Sequence, residues 1–232
     1  TAIEEIFREF YLADLGEWVW TNMKNVAEQM WLPNDGDLDD NSHPGTYFLK
    51  KLNAHQAANP SFRVDFIGHS AGSIAICHML RAAEAAETVP QIRSIMFLAP
   101  ACLARLMHEE IIARPDRFDD FRMFTMDDAF EKKDRLVPLI YPRSLLYLIS
   151  GVLEAEADIP VAGMTRFWTA QEPFVDDYLK QMVSWLNEPG TTRYVLSVTN
   201  GGSDGMRSDS EKHGDFDNDP ETRASLTHMV SR

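Results

Sequence analysis

The chain has 232 residues, of which 44% are hydrophobic and 25% charged. That is enough for one domain with a real core, and too ordinary a mixture for a disordered, collagen-like or coiled-coil protein. Lys and Arg number 22 against 36 Asp and Glu, a formal charge of −14; so negative a surface repels phosphate backbones and anionic headgroups, so nucleic acid and membrane are not expected partners. Cys77 and Cys102 are too few for a disulfide framework, and no Cys/His cluster has zinc spacing, so no metal or cofactor is expected and a reducing, cytoplasmic setting is the default. No basic leader with an apolar stretch and no apolar run of about 18 residues occurs, so neither a signal peptide nor a membrane span is expected.

Residues 2–31 place apolar side chains at Ile3, Ile6, Phe7 and Phe10, then at Val19, Met23, Val26 and Met30, steps that suit helices. Residues 33–44 hold four Asp and no periodic apolar pattern, which reads as an exposed acidic loop. Helical spacing returns over 46–58. The first strand signal is 62–67, rich in β-formers and closed by Gly68; no strand is expected before residue 60. Three similar runs follow at 92–98, 121–126 and 193–199, separated by helical patterns at 73–86, 103–113, 143–155 and 173–186. Strands that alternate with helices require crossover connections and a parallel sheet, so the fold class is α/β. Ligands of such sheets sit beyond the carboxyl ends of the strands, which directs attention to the residues just after each one.

Directly after the first strand stands Gly68-His69-Ser70-Ala71-Gly72, followed by an Ala- and Ile-rich helical pattern. This is a Gly-x-Ser-x-Gly elbow in its required setting, with Ser70 in a strained turn and glycines two residues to either side admitting close packing of strand and helix. The helix start offers free N–H groups to a developing oxyanion, with Ala71 N–H the natural donor. A chance Gly/Ser turn is the plainer reading, but five positions and both flanking elements agree on a nucleophile.

A serine needs a base, and the base needs a carboxylate. His213 lies in a polar loop some fourteen residues beyond the last strand, the place in chain order where this constellation carries its histidine. Its competitor, His228, falls in a closing helical pattern, while His69 and His78 flank the elbow helix as local packing or bonding groups. The acid should follow the third strand. Asp127 comes at once and is favoured by strand direction; Asp134, in Asp134-Arg135-Leu136-Val137-Pro138, is the alternative, and Asp128 stands between them.

The elbow, the later acid and the string Lys212-His213-Gly214-Asp215-Phe216 together resemble the α/β-hydrolase superfamily, over most of the chain from about residue 20 onward. Gly68 to Ile74, Tyr141 to Tyr147 and His213 to Asp217 look like a poorly characterised bacterial branch of it. The resemblance implies a cofactor-free serine hydrolase of esterase type that works through an acyl-enzyme on a small-molecule acyl substrate, with thioester and amide chemistry open to the same residues. It specifies no oligomeric state. It also implies several strands before the elbow and a His-Gly loop supplying a second oxyanion donor, and nothing before Phe62 matches them. The expectation is therefore a single domain over 1–232 that is N-terminally incomplete, with the alternative of a non-catalytic hydrolase-like scaffold that binds a ligand or partner. Residues 139–170, which include Phe167 and Trp168, form a possible cap or pocket segment above the strand ends; a plain helix packed on the sheet fits them equally well.

Overall fold

In the computed structural model, the described residues are 12–33, 43–137 and 141–232. The helical pattern expected at the extreme N-terminus and most of the expected acidic loop lie outside them. Four strands, β1 (Val64–His69), β2 (Ile92–Leu98), β3 (Phe118–Met126) and β4 (Tyr194–Ser197), form one sheet in the order β1-β2-β3-β4. All neighbours pair in parallel. Sequence order and spatial order coincide because each crossover returns the chain to the next position on the same side. Among the described residues no strand precedes β1.

The two central strands decide where the core lies. In β2, Ile95 and Phe97 enter one cluster while Met96 and Leu98 enter another; in β3, Phe121 and Met123 oppose Phe124 and Met126 in the same way. Alternation at period two therefore divides one apolar run between two covered faces, which explains why β2 reads as continuously hydrophobic. The larger face is covered by α1 (Leu12–Gln29), α2 (Pro44–Ala58), α3 (Gly72–Ala85) and, later in the chain, α7 (Asp177–Leu186). The smaller face is closed by Phe216 and by Met229 of the C-terminal α8 (Pro220–Val230). β1 lies at the edge, and Ile67 remains 47% exposed there.

Three expected helices are broken or shortened. The pattern at 103–113 becomes α4 (Ala104–Met107) followed by a wider π-type turn, His108–Ile112. The pattern at 143–155 becomes α6 (Leu145–Leu148) and a second such turn, Ile149–Leu153. The segment 173–186 is helical only from Asp177, because Phe174 lies ahead of the helix with its ring edge-on to Phe167, 4.8 Å between centroids. Apolar periodicity reports which residues are buried; it does not distinguish an i to i+4 from an i to i+5 turn. One further helix, α5 (Asp128–Lys133), forms directly after β3. Among the described residues no helix is long and apolar enough to cross a membrane.

Candidate active site

β1 delivers His69 to the carboxyl edge of the sheet, and the chain then turns through Ser70 into α3. Ser70 takes a φ of +51°, a conformation that costs an L-residue on the order of 1–3 kcal/mol unless its surroundings impose it. They do so here through the backbone. Ser70 N–H donates to Leu98 O at 2.9 Å, and Ser70 O accepts from Ala101 N–H (3.2 Å), Ser73 N–H (3.1 Å) and Ser73 Oγ (2.7 Å). Ser73 Oγ in turn accepts from Cys102 N–H at 3.1 Å. The turn is thus bonded to the end of β2 as well as to its own helix.

The two glycines of the elbow differ. A methyl group on Gly68 would lie 2.8 Å from the backbone carbon of Gly72 and from Ile76 Cδ1, whereas one on Gly72 would meet nothing within 4 Å. The close approach of strand and helix therefore requires the first glycine and not the second, which corrects the symmetric role expected for them. Ala71 N–H makes no hydrogen bond among the described residues and stands at the start of a 14-residue helix. That leaves it able to donate to an anion.

His213 comes to this turn from the opposite end of the sequence. Its Nε2 lies 2.9 Å from Ser70 Oγ, across a separation of 143 residues. The loop that carries it is far more ordered than its Gly/Ser/Asp composition suggests. Ser197 Oγ donates to Ser210 O (2.6 Å), Thr222 Oγ1 to Ser208 Oγ (2.7 Å) and Ser208 Oγ to Ser197 Oγ (3.1 Å), all buried. Phe216, fully buried, anchors the loop beneath. A polar sequence here conceals a buried hydroxyl network, and a loop assignment from composition misses it.

Both backbone polar groups of His213 are also engaged. Its N–H donates to Asp134 Oδ2 at 2.9 Å, and its carbonyl accepts from His69 Nε2 at 3.0 Å. Burial pushes the imidazole pKa down to about 3, with the neighbouring His69 adding to the effect. His213 is accordingly neutral near pH 7. A neutral ring that accepts from the serine hydroxyl at Nε2 carries its hydrogen on Nδ1, and Nδ1 is buried without a hydrogen-bond partner.

The candidate acids divide by what their carboxylates hold. Asp127 is the N-cap of α5, accepting from Phe130 N–H at 2.8 Å. Its carboxylate is spent on the helix end, and no bond joins it to the imidazole. Asp128 accepts from Tyr147 Oη at 2.5 Å and pairs with Lys132. Asp134, at the C-cap of α5 and buried, is the acid that reaches residue 213. Between them lies Glu131, a residue that the sequence reading passed over. It is fully buried, and no hydrogen bond reaches either carboxyl oxygen. Burial pushes its carboxyl up to about 8, and the nearby Asp134, Asp128 and Asp127 add to the effect.

Part of the expected cap segment crosses the strand ends. Ala162 N–H donates to Cys102 O (2.9 Å), Gly163 N–H to Pro100 O (3.1 Å), and Thr125 Oγ1 to Gly163 O (2.6 Å). Leu146, Ile149 and Val152 of the same segment are instead buried in the larger core, as a helix packed on the sheet would be. Trp168 is tied down by an Nε1–H bond to Ala162 O at 3.1 Å. Among the described residues no cluster of His, Cys, Asp and Glu could hold a metal ion.

The fold and site thus define a four-stranded parallel α/β protein with a strained serine and a neutral histidine in contact at the carboxyl end of the sheet. Comparison with protein-family models, with curated proteins and with solved structures found no match in any of the three.

Proposed function

We propose that the chain is a serine acyl hydrolase of α/β-hydrolase type, esterase-like and free of cofactors. The observation that carries this reading is the 2.9 Å contact between Ser70 Oγ and His213 Nε2, an alcohol and a neutral imidazole held within proton-transfer reach on a strained turn. Ser70 Oγ attacks the acyl carbonyl while its proton passes to Nε2. Ala71 N–H stabilises the resulting oxyanion, aided by the α3 dipole. Collapse breaks the bond to the leaving oxygen, which takes the proton back from Nε2, and water repeats the sequence on the acyl-enzyme. Asp134 is the acid we assign to His213 in place of Asp127: its carboxylate holds the His213 backbone N–H, not Nδ1, and so fixes where the base stands, while that of Asp127 is engaged at a helix end.

One observation favours a second reading, a hydrolase-like scaffold that binds without turnover: His213 Nδ1 has no acceptor to support an imidazolium. A fluorophosphonate probe separates the two. Under the hydrolase reading the wild type is labelled, Ser70→Ala is not, and His213→Ala loses at least about a thousandfold in p-nitrophenyl ester turnover. Absence of labelling in the wild type, or labelling that survives in Ser70→Ala, rejects it.

A further inference from the structure

The residue between Gly68 and Ser70 is in contact with the base. His69 Nε2 lies 3.0 Å from the carbonyl oxygen of His213. A carbonyl only accepts, so this ring nitrogen carries a hydrogen, and in the neutral ring the bare nitrogen is Nδ1. Nδ1 faces Asp217 Oδ2 at 3.9 Å, too far for a hydrogen bond. The two imidazoles are stacked, 5.5 Å between centroids with 30° between their planes. His69 is partly exposed, whereas His213 is buried.

We propose that His69 is a positioning residue for the base: its Nε2–H holds the His213 backbone and its ring stacks beside the imidazole that must become charged. This rests on the acyl-hydrolase reading and adds a residue that sets where its base stands. Carbonyl and ring contacts act on opposite sides of the same residue. With Asp134 on the N–H, Ser70 on Nε2 and His69 on the carbonyl, His213 is held at three points. In the transition state the proton of Ser70 charges the His213 ring. The face of an aromatic ring 5.5 Å away is a favourable neighbour for that cation.

Among the described residues, the titratable groups facing His69 are His213 and Asp217, both from the loop after β4. Its partner across the sheet is Leu98 of β2, which carries no charge. The serine alone would give no reason for a histidine at this position, since any side chain satisfies the elbow pattern there. What singles it out is the return of the base loop onto its ring.

The test compares His69→Phe and His69→Gln with the wild type by fluorophosphonate labelling, thermal melting, and kcat and KM for a p-nitrophenyl ester. His69→Phe keeps a ring and loses the donor, so kcat falls about ten- to a hundredfold with KM within about threefold. His69→Gln can still donate to the His213 carbonyl, so it retains most of kcat. A labelled wild type whose two variants match it in kcat overturns the proposal and leaves the hydrolase reading standing. Equal losses in both variants, or losses of kcat that track a fall in melting temperature, make His69 a structural residue only and overturn it too. A wild type that is not labelled sinks both.

Discussion

The two halves of the candidate site are built by different means. The serine half is local: Gly68, Ser70 and Ser73 lie within six positions, and the strained turn is bonded to its own helix and to the adjacent end of β2. The histidine half is assembled from residues far apart, Asp134 from the end of α5, His69 from β1, and the buried hydroxyls of Ser197, Ser208 and Thr222 beneath the loop. Under the hydrolase reading, a strained nucleophile requires a short, stiff frame. A base that stays neutral and then takes a proton requires burial and a few directed contacts, which a long loop can gather from several elements.

That contrast can be broken first at the acid. Asp134→Asn keeps the shape of the carboxylate but removes its charge; because its contact is to the His213 backbone N–H and not to Nδ1, under the hydrolase reading kcat falls about ten- to a hundredfold through displacement of the base. Asp127→Asn changes a helix cap and costs about 1 kcal/mol of stability at most, with kcat within a few-fold. Ester kinetics and thermal melts of the two variants decide between them; equal losses of kcat would return Asp127 to contention.

At the other half, Gly68→Ala forces a methyl group against backbone 2.8 Å away, and is expected to destabilise the fold by roughly 3 kcal/mol while displacing Ser70. Gly72→Ala meets open space and should leave stability within about 0.5 kcal/mol of wild type. Denaturant titration of both variants measures the difference, and similar midpoints would mean that the elbow is less tightly framed than its contacts indicate.

The smallest effect is a pH slope. Between pH 4.5 and 8 the unfolded chain has released the Glu131 proton while the folded chain keeps it, so stability falls as pH rises, by up to about 1.4 kcal/mol per pH unit. His213 acts with the opposite sign. Between its ordinary value of 6.5 and about 3 the unfolded chain binds a proton that the folded chain refuses, so stability falls as pH drops. The two slopes oppose one another from pH 4.5 to 6.5, and above 6.5 Glu131 acts alone. Glu131→Gln should flatten the decline between pH 6.5 and 8, measured by urea unfolding at stepped pH; an unchanged slope would place the ionisation elsewhere.

Much of the frame was legible along the chain because it depends on neighbours. All four strands fall on the runs that the pattern of β-formers marks, although β3 begins at Phe118, three residues before its strongest apolar stretch. Proximity of Ser70 and His213 was legible only as an expectation from chain order. The acid was not. Asp127 and Asp134 are equally acidic in sequence, and only packing reveals that one carboxylate is occupied by Phe130 N–H and the other by His213 N–H. Glu131 left no signal at all, because on a short helix of mixed polarity nothing distinguishes a buried carboxyl from a solvated one.

By itself the sequence determined the class of fold, the strained turn and the kinds of chemistry placed near it, since periodicity and a five-residue spacing are properties of adjacent positions. Tertiary structure decided which carboxylate holds the His213 backbone N–H, which glycine the turn requires and that His69 lies against His213. Those are matters of distance and of competition for hydrogen-bond partners between segments up to 144 residues apart, and no local pattern encodes the outcome of that competition.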